Sequence, residues 1–190
     1  MGAALPIAMA VAVFGVSFGV LAEDGGLPGW QAVLMSATVF AGSSQFAAVS
    51  VLAGGGGMLP AVVSGALLNT RYIATGAAMA PALPGGRLRR VLVAQLVVDE
   101  SFALAVAAGE PGRPDGRTAI RAGVLLWCAW VGGTLVGTLV GGVLGDPTTL
   151  GLDAAFPVLF LALLWPMVRE DRRNLSPALL GAVVGLVLSR

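Results

Sequence analysis

Seven apolar runs, most of them long enough to cross a lipid bilayer, leave this chain few ways to fold. They cover residues 5–22, 30–53, 58–83, 91–108, 118–144, 154–168 and 177–189. A hydrocarbon layer of about 30 Å takes roughly 20 mostly apolar helical residues, and the last two runs are short by that measure. Inside lipid every backbone N–H and C=O must pair within the protein, which leaves helices or a closed barrel. No run alternates apolar and polar residues as a barrel strand would. The expected fold is therefore all-α and integral to the membrane: one domain over 1–190, a polytopic bundle of about seven transmembrane helices. Polar segments are expected to interrupt the second and third.

Composition narrows the function classes. Only 11% of the 190 residues are charged and 57% are hydrophobic, where a soluble domain carries about 25% charged residues. No polar half exists that would form a separate soluble domain. All eleven basic residues are arginine and none clusters into a basic face, so no nucleic-acid partner is expected. Chemistry that depends on histidine or lysine is excluded, because the chain has neither. The single cysteine, Cys128, offers no disulfide framework and no cysteine metal site, and no cofactor is expected. The start of the chain lacks a positively charged stretch and runs on without a cleavage site, so it reads as a first span and not as a removable signal.

Glycine spacing points to tight helix packing. Gly133, Gly137, Gly141 and Gly145 recur every fourth residue, and Gly15–Gly19 and Gly181–Gly185 repeat the interval. In lipid, small residues at this spacing let two backbones approach closely. Such a groove suits either an internal seam or the docking face of a partner subunit. Arginine placement bears on orientation. If every run crosses, Arg113, Arg117, Arg121, Arg169, Arg172 and Arg173 share one side, Arg87, Arg89 and Arg90 lie on the other, and the N-terminus is cytoplasmic. If 91–108 is re-entrant, all nine share one side and the N-terminus is outside.

Three polar clusters break the apolar runs near their midpoints: Ser43-Ser44-Gln45, Asn69-Thr70-Arg71-Tyr72, and Asp99-Glu100-Ser101 with Gln95 one turn earlier. That puts all three at a similar depth. An ionised side chain there costs roughly 2.5–3.5 kcal/mol, so it faces protein or a watery cavity and takes a partner. Arg71 has two acidic candidates at its level, Asp99 and Glu100. On an intact helix Ser43, Ser44 and Gln45 would sweep about 200°, and one would point into lipid. A break at Gly42 would let all three line a cavity, as broken helices do in secondary transporters. The plainer alternative is that the serines bond back to the preceding turn.

The combination Phe40-Ala41-Gly42-Ser43-Ser44-Gln45-Phe46, Asn69-Thr70-Arg71-Tyr72 and Asp99-Glu100-Ser101-Phe102, preceded by Phe14–Gly19, resembles the AzlC family from about residue 3 to 168. The resemblance implies the large subunit of a two-component exporter in the bacterial inner membrane. It would work with a small hydrophobic AzlD-like subunit and expel valine, leucine or isoleucine, and it implies no enzyme activity. Another small solute such as methionine, or a non-transporting structural subunit, is the alternative. A zwitterion suits the residues: Arg71 or a half-helix starting near Ser43–Gln45 for its carboxylate, and Asp99 or Glu100 for its ammonium and for a coupled proton. Asn69, Phe40, Phe46 and Gly42 complete the expected site. The ends depart from the family, since Met1 begins almost inside the first run and Arg190 closes a short last one, as in a truncated reading frame.

Overall fold

The computed structural model of the chain describes residues 4–144, together with Ser176 and Leu179. Apart from those two residues, the runs at 154–168 and 177–189 lie outside the described residues, as do Gly145, Gly181 and Gly185. Residues 4–144 belong to a compact unit, Met1–Leu152. They form eight helices: α1 (Ala4–Asp24), α2 (Gly29–Val39), α3 (Gly42–Ala53), α4 (Met58–Asn69), α5 (Arg71–Met79), α6 (Arg87–Ala94), α7 (Asp99–Ala108) and α8 (Gly116–Leu144). No strand occurs among the described residues, where an isolated bridge pairs Glu110 with Arg113.

Two long apolar helices, α1 and α8, form the spine. They run parallel: Gly133 lies against Ala12, Gly137 against Val16 and Gly141 against Val20. A Cβ added at Gly15 would come within 2.6 Å of the Trp130 carbonyl, and one at Gly133 or Gly137 would collide with α1 backbone. The glycine ladder is thus an internal seam over these residues. Backbone approaches this close replace hydrophobic drive with van der Waals contact. Asp115 starts α8 by accepting hydrogen bonds from the Thr118 hydroxyl (2.6 Å) and from the backbone N–H groups of Arg117 and Thr118. The Thr118 hydroxyl, and then the Arg117 N–H, hold its carboxyl below the usual carboxylate range.

The second run does not continue straight through. Gly29, at the start of α2, sits beside Glu23 and Thr138, and Gly25 packs on Val49 and Ala53 near the end of α3. Both ends of α2–α3 therefore lie at the end of the bundle where α1 finishes, and the turn at Phe40–Ala41 lies deep inside. The fourth run, 91–108, expected either to cross or to be re-entrant, is likewise two helices. Helices α6 and α7 bend by 112°. The loop before them and the loop after them touch, with Gly116 against the Ala82 carbonyl and the Asp115 N–H bonded to the Ala105 carbonyl. Met79, Leu83, Val97, Ala105 and Ala119 form one apolar cluster there. This second hairpin opens at the end where α1 begins. Between the hairpins, α4 and α5 carry the chain from one end to the other, interrupted at Thr70.

Candidate functional site

The turn of the first hairpin depends on one unusual residue. Phe40 has φ 43° and ψ 51°, and among the described residues it is the one non-glycine residue with positive φ. A bulky side chain pays for that conformation unless its surroundings enforce it. Enforcement comes from side chains that satisfy the backbone freed by the break. The Trp127 indole N–H donates to the Ala37 carbonyl (3.0 Å), and Gln95 donates to the carbonyls of Thr38 (2.6 Å) and Val39 (3.2 Å). On the other side of the turn the Ala41 N–H donates to the Gln45 side-chain oxygen (3.1 Å).

Gln45 is fully buried and bonds through both the oxygen and the nitrogen of its carboxamide. Its oxygen also accepts from the Trp130 indole (3.1 Å), and its nitrogen donates to Ser36 (3.1 Å), which is bonded to Thr134 (2.8 Å). Ser44 donates to the Ala41 carbonyl. Phe46 and Phe18 pack around the Trp130 ring, and a Cβ at Gly42 would come within 3.0 Å of it. Gly42, Ser44, Gln45 and Phe46 thus face the interior of the bundle. The helix break itself is present, two residues before Gly42.

Arg71, the first residue of α5, joins the three clusters. Its guanidinium pairs with Asp99 at 3.1 Å, donates to the Ser43 hydroxyl at 2.7 Å, and donates to the Tyr72 hydroxyl at 3.3 Å. Ser43 is the second residue of α3 and Asp99 the first of α7, so two helix N-termini converge on one cation and its counter-ion. A carboxylate in the first turn of a helix also meets the favourable end of the helix dipole. The side chains of Arg71 and Asp99 keep 34% and 37% of their surface exposed, so the pair is open to one side. Glu100 follows in the same turn, half-buried. Ser101 holds that turn by accepting from the Val98 N–H (2.9 Å).

Beside the ion pair lies a cavity of about 370 Å³. Phe40 and Ala41 from the first hairpin, Gln95, Val97 and Val98 from the second, and Asn69, Tyr72 and Gly76 from the interrupted through-helix all line it. Arg71 and Asp99 are not in its wall, which holds their chain neighbours Tyr72 and Val98. Two buried polar atoms here have no hydrogen-bond partner, Asn69 Oδ1 and Arg71 Nε. Of the ten residues anticipated from sequence, the cavity collects Phe40 and Asn69, and the ion-pair cluster collects Ser43, Arg71 and Asp99. Trp130 and Ser36 were not anticipated. The signal for Trp130 was available, because a buried indole N–H needs an acceptor.

The AzlC protein family matches residues 6–144. An uncharacterized membrane protein of Archaeoglobus fulgidus is 32% identical over 184 residues, covering 95% of this chain and 79% of its own length. The branched-chain amino acid transport protein AzlC of Bacillus subtilis is 25% identical over 186 residues, covering 97% of this chain and 71% of its own. The inner membrane protein YgaZ of Escherichia coli is 29% identical over 196 residues, covering 97% and 78%. No solved structure matches the chain. With two apolar helices of 21 and 26 residues and membrane-protein relatives, this is a multi-pass membrane protein.

Proposed function

The chain belongs to the AzlC protein family, and on that premise we propose that it is the large subunit of an exporter for branched-chain amino acids, coupled to protons. The name of the Bacillus subtilis relative supports the substrate class. The observation that carries the reading is Arg71, bonded at once to Asp99 and Ser43 where both hairpins turn. A zwitterionic amino acid matches that pair charge for charge. Its carboxylate takes Arg71 and the N-terminal end of α3, and its ammonium takes Asp99 or Glu100. The resident ion pair keeps both charges satisfied while the site is empty, and substrate exchanges for it. Once Arg71 turns to the substrate carboxylate, one of Asp99 and Glu100 meets the ammonium and a proton on the other removes the charge left unpaired at depth. That exchange links proton movement to export.

Half-helix N-termini that meet near the middle of a bundle are a recurring construction for substrate sites in secondary transporters. In this reading the chain has no catalytic step and its partner is a small hydrophobic subunit of the AzlD kind. The test is intracellular valine after feeding cells a valine-containing dipeptide. Cells with the chain and that subunit should accumulate several-fold less valine than cells lacking them. Equal accumulation would defeat the reading.

A further inference from the structure

Resting on that transport reading, we infer that the cavity between the hairpin tips receives the side chain of the transported amino acid, with Asn69 as its polar anchor and Gly76 setting the size admitted. Its volume of about 370 Å³ falls within the range of small-molecule sites. The wall is mainly aliphatic: Val39, Val91, Ala94, Val97 and Val98. Its polar groups differ in what they have left to offer. Gln95 is engaged with the Thr38 and Val39 carbonyls, and the Tyr72 hydroxyl accepts from Arg71. Asn69 Oδ1 is buried without a partner. An amide oxygen only accepts, so what it lacks is a donor; the substrate ammonium has three N–H groups, and supplies one here while another meets the carboxylate.

Gly76 lies one helical turn beyond Tyr72 on the same wall, and a Cβ there would meet nothing within 4 Å. This separates it from Gly15, Gly116 and Gly137, where a Cβ would run into backbone. Glycine weakens a helix interior relative to alanine, and packing does not demand it at 76. Vacant volume beside the cavity is what the missing side chain provides. A side chain at 76 therefore fills the cavity while leaving the helix contacts intact.

Isoleucine exceeds valine by one methylene, and such a difference in a snug pocket is worth about 10–200-fold. Export of both should be compared in cells carrying the full chain and its partner subunit. Gly76→Ala and Gly76→Val should lower the isoleucine-to-valine export ratio, by about tenfold for the larger. Val39→Ala should raise that ratio, and Asn69→Leu should lower both amino acids by a similar factor. A folding defect would depress both without changing the ratio, so the opposed shifts at positions 76 and 39 identify the cavity. If the Gly76 variants export valine with the wild-type ratio, the inference fails and the transport reading stands. If the wild-type chain exports neither amino acid, the transport reading fails and this inference with it.

Discussion

Gln45 commits both ends of its carboxamide inside the protein, to Ala41 and Trp130 on one side and Ser36 on the other. Replacing it by leucine keeps the volume and removes the acceptor, leaving two buried N–H groups unpaired at about 1–3 kcal/mol each. Gln45→Leu should therefore lower the unfolding temperature in detergent, and Ser44→Ala, which loses a single local bond, should lower it less. Equal midpoints for Gln45→Leu and wild type would refute this role. The polar residues at depth were legible in the sequence because unpaired polarity is costly in lipid. Their division of labour was not. Ser43 and Gln45 are two residues apart, so helical rotation sends one to Arg71 and the other to Trp130.

Helix packing follows from glycine at the fourth-residue interval. Gly137 presses on Val16, whereas Gly132, also in α8, has open space where its Cβ would be. Gly137→Ala should force α1 and α8 apart, at about the 1–3 kcal/mol typical of overpacked sites. Gly132→Ala should cost nothing and raise stability by up to about 1 kcal/mol, since alanine is the better helix former. Thermal unfolding of the two variants side by side checks this, and equal losses would contradict an α1–α8 seam. The spacing marked a packing groove but not whether it was an internal seam or a docking face, because the partner helix lay 110 or more residues away and had no local signature. The breaks were legible where polar residues crowd the middle of a run. The reversal of 30–53 was not, and that of 91–108 stood only as one of two alternatives, because an apolar run reads alike whether it passes through or turns back.

At the scale of the molecule, α1 followed by the α2–α3 hairpin is answered by α4–α5 followed by the α6–α7 hairpin, entered from the opposite end. Because both runs fold back, Arg87, Arg89, Arg90, Arg113, Arg117 and Arg121 all fall at the end where α1 begins. The other end carries Glu23 and Asp24. Short loops rich in arginine stay in the cytoplasm, so the N-terminal end of α1 is predicted to be cytoplasmic. In a Cys128→Ser background, Arg87→Cys and Arg113→Cys should resist a membrane-impermeant maleimide in whole cells, while Asp24→Cys and Gly57→Cys react. Labelling of Arg87→Cys and Arg113→Cys from opposite sides would refute the second hairpin. Transport itself is tested most directly by valine export in cells carrying Asp99→Asn or Arg71→Ala at wild-type membrane levels. Export should fall at least tenfold in each. Either variant expelling valine at the wild-type rate would contradict a substrate site built on the Arg71–Asp99 pair.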